Sequence, residues 1–150
     1  MPMFEIYGHT EVGSVRRNNE DHILVGRFIK NRGSAQFSID SDEEFFKKRG
    51  LLFAVSDGIG GEAGGEIASH LTLKVLDKNF YAIENKRNLT DFSETLRDSI
   101  SKANDTVLHI SLYKPELAYM GCTLTGVCLV SVQKLFPDCY ILYNCYTLDI

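Results

Sequence analysis

The stretch LLFAVSDGIGG, residues 51–61, decides how the rest of the chain is interpreted. Its first five residues are all apolar and have the length of a β-strand that is covered on both faces. The strand must end at Asp57 and Gly58, because the glycines that follow interrupt regular structure and allow sharp turns. A carboxylate and a turn that can expose its own backbone carbonyl therefore stand together at the end of a buried strand.

Further strands are predicted on both sides of this stretch from short runs of apolar and β-branched residues. They cover residues 3–9, 22–29, 122–132 and 139–146. The last two are joined through Pro137-Asp138, a turn-forming pair. Residues 40–49 carry mostly charged side chains, and this composition predicts a solvated loop or hairpin tip.

Two amphipathic helices lie between the strands. The first is predicted over residues 63–80, with apolar residues at every fourth position: Ile67, Leu71 and Val75. The second is predicted over residues 91–112, with Thr90 as its N-cap and a buried stripe of Phe92, Leu96, Ile100, Ala103 and Val107. The order of strands, helices and strands indicates an α+β fold, an antiparallel sheet with two helices packed on a face.

Length and composition narrow the class of protein. The chain has 150 residues, a net charge of −4 and 44% hydrophobic residues, which is typical of one globular domain over residues 1–150. A mildly acidic chain without a basic tract is not expected to bind nucleic acid. No apolar run approaches the roughly 20 residues of a membrane span, and the N-terminus lacks a signal-peptide pattern. We therefore expect a cytoplasmic protein without a membrane segment.

All four cysteines, Cys122, Cys128, Cys139 and Cys145, lie in apolar, strand-like sequence. Zinc sites need pairs that stand two to four residues apart, and this spacing differs. Reduced cysteines that fill space as small apolar side chains are the favoured interpretation.

Two polar segments carry residues that packing alone does not require. RRNNED at residues 16–21 leads into a strand, and Asp57-Gly58 ends one. Carboxylates at strand ends can converge in a sheet, and Mg²⁺ prefers such oxygen ligands together with phosphate. Arginine offers a planar fork for a phosphate group. Either segment alone would usually be a solvated turn. Because both occur in one chain, we hypothesise that they form a metal site that hydrolyses phosphate esters.

The joint pattern resembles the metal-dependent protein phosphatases of the 2C type (PPM), with the bacterial branch most similar. The motifs that carry this resemblance, in chain order, are residues 13–21, 52–61 and 63–69, Ala103-Asn104, and residues 120–125. Several ordered motifs over most of the chain are more specific than any one of them. The resemblance implies an αββα sandwich, of which this chain holds a part.

The resemblance also implies an activity and a set of site residues. It implies a Mg²⁺- or Mn²⁺-dependent serine/threonine protein phosphatase acting on phosphoproteins, with two ions and a metal-activated water. Arg16 matches the arginine that holds the substrate phosphate, and the acidic pair of the first motif is Glu20 and Asp21. Asp57 matches the aspartate shared by both ions, and Gly58 the glycine whose carbonyl is a ligand. Arg16 and Asp57 are thus the predicted catalytic residues.

Three positions depart from the family pattern. Ile59 stands where some members carry a histidine acid, so no such acid is assigned, and Cys122 replaces a threonine or serine. After residues 140–145 the family continues with a Gly-Asp-Ser motif and two further aspartate ligands, whereas this chain reads YTLDI at residues 146–150. We therefore expect an incomplete domain, cut short or shifted out of frame.

An incomplete domain limits the expected activity. One ion keeps Glu20, Asp57 and the Gly58 carbonyl, but the second site is incomplete, and little or no hydrolysis is expected of this chain alone. Two alternatives stay open: a non-catalytic remnant that binds phosphoprotein or a partner, and an unstable product without a function. The sequence does not distinguish Mg²⁺ from Mn²⁺ or name a substrate.

Overall fold

The computed structural model describes residues 3–131 and 140–149, and the side chains of residues 3–60 and 64–131. The strands are β1 (Met3–Thr10), β2 (His22–Val25), β3 (Phe28–Lys30), β4 (Gly33–Asp40), β5 (Leu51–Ser56), β6 (Gly58–Ile59), β7 (Gly121–Ser131) and β8 (Tyr140–Asp149). The helices are α1 (Glu44–Arg49), α2 (Gly61–Ala82) and α3 (Leu89–Tyr113), followed by a single 3-10 turn at Pro115–Leu117.

The strands form two antiparallel sheets. The larger sheet has six strands in the order β3-β2-β5-β7-β6, with β8 paired to β7. The smaller sheet consists of β1 and β4 and packs against the larger one through apolar residues of both. Helices α2 and α3 cover the opposite face of the larger sheet. This arrangement confirms the predicted α+β class, a partial αββα sandwich with antiparallel sheets and two packed helices.

The main core lies between the larger sheet and the helix pair. Alternate residues of the central strands face the helices, because successive side chains of a strand point to opposite faces. Leu52 and Ala54 of β5 therefore share one cluster with Leu124 and Cys128 of β7 and with Phe80 of α2. A second cluster, around the fully buried Phe46 of α1, fills the space beneath β1 and β4.

Two local predictions are wrong in this part of the fold. The single strand predicted over residues 22–29 is a hairpin, β2 and β3, which turns at Gly26 with a φ of 66°. Phe37 packs against Gly26 at a distance that leaves no room for a Cβ. The predicted loop over residues 40–49 contains helix α1, which buries Phe46 beneath the smaller sheet. The charged residues of α1 lie on its more exposed side, and their number in this segment led to the prediction of a loop instead of a helix.

Both long helices exist, but their details differ from the prediction. Helix α3 is capped by the side chain of Asn88, which accepts a 2.9 Å hydrogen bond from the Asp91 N–H, and not by Thr90. Helix α2 buries only part of the expected face: Ala68 and Leu76, which lie alongside the predicted stripe, are buried together with Leu73 and Phe80, whereas Ile67 is 38% exposed. Leu71 and Val75 of the stripe are half-buried.

Cys122 and Cys128 are both buried, as expected of small apolar side chains. The predicted Pro137-Asp138 connection and Cys139 lie outside the described residues, as does the side chain of Cys145. Within the described part of the chain, no helix is long and apolar enough to cross a membrane.

Candidate metal and phosphate site

The register of β2 and β5 places two aspartates at the same end of the larger sheet. These strands are antiparallel, and His22, the first residue of β2, pairs with Ser56, the last residue of β5. Asp21 and Asp57 each occupy the next position beyond this pair. Residues that are 36 positions apart in sequence are therefore neighbours at one sheet end.

The two carboxyl groups interact directly. The pKa of Asp21 is raised, first by burial and then by the hydrogen bond with Asp57 and the negative charge of that group. The charge of Glu20 raises the pKa of Asp21 further, whereas the guanidinium of Arg16 lowers it. Three other residues predicted from sequence thus lie close enough to influence the carboxyl group of Asp21.

Two glycines bring the remaining ligand groups together. A Cβ placed on Gly65, in the first turns of α2, would lie 3.0 Å from Glu20 Oε1 and 3.0 Å from the carbonyl oxygen of Gly58. A Cβ on Gly58 would overlap the backbone of Gly65. Only glycine at both positions permits this approach, and it places the Gly58 carbonyl beside a Glu20 carboxylate oxygen.

Arg16 lies at the edge of this acidic group. Its Nη1 is 3.5 Å from Glu20 Oε2, and its side chain is 75% exposed. A single contact at this distance is weak. The guanidinium is therefore available to an incoming anion while it stays beside the carboxylates.

Three residues that the sequence did not identify hold the site in place. Thr123 of β7 donates its N–H to the carbonyl of Asp57 at 2.8 Å and accepts the Asp57 N–H through Oγ1 at 3.3 Å. Asn19 accepts a hydrogen bond from the Asp21 N–H at 3.1 Å, and Ser69 donates to the carbonyl of Glu20. All three residues lie within the motifs at residues 13–21, 63–69 and 120–125, but the motifs do not reveal which groups they bind in the folded chain.

A buried histidine supports the Glu20 segment from behind. His22 Nδ1 is 2.8 Å from Ser69 Oγ, and the hydroxyl has one proton, which it donates to Glu20, so Nδ1 is the donor here. The pKa of His22 is lowered, first by burial and then by the charge of His70. His22 therefore serves as a neutral residue that supports the backbone of Glu20 through Ser69.

The donor set fits a hard divalent cation only in part. All its groups are oxygens, and two carboxyls crowd together without an intervening positive charge, which a cation would relieve. Within the described residues, however, no group of three or more His, Cys, Asp or Glu side chains stands in an arrangement that could hold a metal ion. The predicted oxygen ligands are neighbours without forming a complete metal site: Asp21, Asp57, Glu20 and the Gly58 carbonyl. Glu20 contacts Arg16 as well.

Comparison with known proteins points to one group of enzymes. The chain is 27% identical over 115 residues to the serine/threonine protein phosphatase PstP of Mycobacterium tuberculosis, a match that covers 77% of this chain and 17% of PstP. No family model matches the chain.

Solved structures show the same likeness in three dimensions. The crystal structure of PstP superposes with a TM-score of 0.60 at 21% identity and covers 99% of this chain and 53% of that one. The PstP catalytic domain in complex with two manganese ions superposes with a TM-score of 0.57 at 26% identity, and the match covers 85% of this chain and 44% of that one. The S. agalactiae serine/threonine phosphatase superposes with a TM-score of 0.59 at 22% identity, and the match covers 87% of this chain and 45% of that one.

The resemblance to PPM-type serine/threonine phosphatases is therefore confirmed, at the level of fold and of distant sequence likeness. The chain spans about half the length of the solved phosphatase structures and a smaller part of the full PstP sequence.

Proposed function

We propose that this chain carries the phosphate- and metal-binding part of a PPM-type serine/threonine protein phosphatase. The observation that supports the proposal most directly is the juxtaposition of Asp21 and Asp57, which the β2–β5 register brings together with Glu20 and the Gly58 carbonyl. Packing does not require two carboxyls in contact, and the like charges oppose one another.

Each group has a proposed role. Asp21, Asp57, Glu20 and the Gly58 carbonyl would hold Mg²⁺ or Mn²⁺, and the exposed guanidinium of Arg16 would bind the substrate phosphate. A divalent cation in such a site lowers the pKa of water and neutralises phosphate charge. The substrate is a protein phosphorylated on serine or threonine, by likeness to the phosphatases above.

Asp57 has the central role in the proposed metal site. Its carbonyl and N–H both form hydrogen bonds with Thr123, so β7 fixes the backbone from which its carboxyl projects. Arg16 lies next to Glu20 and would bind a phosphate while it stays beside the carboxylates. Arg16 and Asp57 are accordingly the proposed catalytic residues.

Phosphopeptide binding tests the role of Arg16. A fluorescent phosphothreonine peptide is titrated with the chain in the presence of Mn²⁺, and anisotropy gives the Kd. We expect Arg16→Ala to weaken binding about tenfold or more, because a hydrogen bond to a charged group contributes about 1.5–3 kcal/mol.

Arg17 provides the matched control, since it is the adjacent, exposed arginine. Arg17→Ala should change the Kd by less than about twofold, as expected of a screened surface charge. Equal losses in both variants would contradict the assignment of Arg16, and a wild-type chain that prefers the unphosphorylated peptide would contradict the function itself.

Hydrolysis by the isolated chain is a separate question. Phosphate release from the same peptide in the presence of Mn²⁺ is expected to be slow or absent, because the proposed second ion would keep only one of these carboxylates. Turnover that Asp57→Ala abolishes would overturn this expectation of inactivity and strengthen the assignment as a phosphatase.

A second candidate function is a phosphoprotein-binding module without catalysis. The absence of a three-ligand metal group among the described residues favours it. Phosphopeptide affinity that is the same with Mn²⁺ and with EDTA would identify this alternative. The cytoplasmic location and the single-domain organisation over residues 1–150 stay predictions from the sequence.

A further inference from the structure

Tyr119 lies in a turn that disfavours its side chain. The N–H of Met120 donates to the carbonyl of Leu117 at 3.1 Å, Ala118 has a φ of −56° and a ψ of 136°, and Tyr119 has a φ of 72°. These angles define a type II β-turn with Tyr119 at its third position, which ordinarily requires glycine or asparagine. Among the described non-glycine residues, Tyr119 alone has a positive φ.

Packing within the chain does not compensate for this strain. Tyr119 is 93% exposed, so its ring buries almost no surface against the rest of the protein. The next residue, Met120, is 6% exposed and rests against the beginning of α2, with its Cα 2.7 Å from the Cβ position of Gly60. The turn is thus firmly fixed while its aromatic side chain projects into solvent. Strained residues of this kind cluster at functional sites.

The turn stands at the edge of the candidate site. Strand β6 pairs with the start of β7, and Ile59 lies opposite Gly121, two residues after Tyr119. Ile59 itself is 63% exposed and follows Asp57 by two positions. Two exposed apolar residues therefore lie close in the fold to the backbone of Asp57: Ile59 on β6, and Tyr119 in the turn that leads into β7.

We propose that Tyr119 is a specificity-determining residue, whose ring packs against an apolar side chain adjacent to the phosphorylated residue of the substrate. This inference rests on the proposed function. An apolar neighbour is favoured because Tyr119 lies in an apolar stretch, with no charged residue among residues 117–123 or at the facing residues 58–61. An aromatic ring offers a rigid apolar face at small cost in conformational entropy.

Two phosphothreonine peptides test the proposal in the presence of Mn²⁺. One has leucine on both sides of the phosphothreonine and the other has serine at those positions, and inorganic phosphate serves as a competitor. Tyr119→Gly should weaken binding of the leucine peptide about fivefold, as expected for partial loss of one apolar contact. Binding of the serine peptide and of phosphate should not change. Tyr119→Phe should bind both peptides as the wild type does.

Thermal unfolding supplies a readout that is independent of ligand. Tyr119→Gly should raise the Tm by about 2–4 °C, because glycine tolerates the positive φ and no packing is lost. Tyr7→Ala is the control, since Tyr7 is an exposed tyrosine on β1, 64% accessible and remote in sequence. It should leave both peptide affinities unchanged and should not raise the Tm.

The outcomes separate this inference from the proposed function. Equal affinity of wild type and Tyr119→Gly for the leucine peptide would overturn the role of Tyr119 and leave the function intact. A lower Tm for Tyr119→Gly would also overturn it, because the ring would then stabilise the fold. A wild-type chain that binds neither phosphopeptide would overturn the proposed function, and this inference with it.

Discussion

The two ends of helix α2 place charged groups in different surroundings. At its beginning, Asp21 is half-buried and Asp57 is exposed, and burial together with the hydrogen bond and the charge of Asp57 raises the pKa of Asp21. Just beyond its end, Lys86 is 4% exposed, and burial lowers the pKa of its ammonium group to about 8. The two ends therefore differ in solvent access as well as in the groups around each charge.

Lys86 is surrounded by groups that accept its charge. Its Nζ donates to the carbonyls of Arg49 and Ile83 at 3.3 and 3.1 Å and lies 4.2 Å from the centre of the Phe80 ring. These carbonyls close α1 and follow α2, where a cation is favoured by the helix dipole. The ammonium group therefore links the C-terminal ends of α1 and α2 through hydrogen bonds.

Among the described side chains, the cation that acts on Asp21 is the exposed guanidinium of Arg16, and this guanidinium contacts Glu20 instead. A charged group such as Lys86, which the protein's own carbonyls bind, stabilises the fold. Carboxylates that lie close together without a neutralising side chain are typical of a site that binds a cation. We infer that the two ends of α2 differ in function, because the protein supplies hydrogen-bond partners for Lys86 but little neutralising charge for Asp21 and Asp57.

The largest effect is expected where backbone packing forms the acidic end. Gly58→Ala places a Cβ within the backbone of Gly65, which cannot move as a side chain could, and should destabilise the chain by about 3 kcal/mol or more. Gly64→Ala is the control, because its Cβ would meet only the Met120 side chain, at 3.1 Å, and alanine favours helix. Urea unfolding measures both. Equal effects would show that the Gly58–Gly65 contact is not tight.

The Lys86 end should show a characteristic pH dependence. Its folded pKa lies below the unfolded value of 10.5, so raising the pH removes a proton from the folded chain first. The free energy of unfolding should therefore rise by about 1 kcal/mol between pH 7 and pH 9 relative to Lys86→Met, and the rise should end near pH 10.5. Arg49, Tyr81 and Cys128 are the ionisable groups that influence Lys86, and the difference between wild type and variant removes their own contributions to first order. A flat difference would contradict a buried charged lysine.

A smaller effect of opposite sign is expected at the acidic end. Asp21→Asn removes one of two crowded carboxyls and leaves an amide that can donate to Asp57. Without metal, the variant should be more stable than the wild type at neutral pH by about 0.5 kcal/mol or less, since the like-charge repulsion that it relieves is screened by solvent at these partly exposed groups. Thermal unfolding in EDTA measures this change. A less stable variant would mean that the pair is a structural contact, comparable to Lys86.

Sequence predicted the parts of this molecule that depend on long periodic patterns. The stripe of α3 and the strands β5 and β7 are as expected, because many residues contribute to each pattern. The hairpin at Gly26, helix α1 and the exposure of Ile67 on α2 were not predicted, because each is set by tertiary packing of a few residues.

The candidate site shows the same division. The acidic residues and Gly58 could be singled out from their positions at strand ends, and their proximity depends on the pairing of His22 with Ser56. Asn19 and Ser69 could not be identified, because their hydrogen bonds to the Asp21 N–H and the Glu20 carbonyl exist only in the folded chain.

Calorimetric titration of Mn²⁺ tests most directly whether the acidic end binds a cation. The wild-type chain is compared with Asp57→Asn and with Asp105→Asn, an exposed control on α3. The account predicts that the wild type and the Asp105 variant bind Mn²⁺ and gain thermal stability from it, whereas Asp57→Asn loses both effects. Failure of the wild type to bind Mn²⁺, or binding that Asp57→Asn leaves intact, would contradict it.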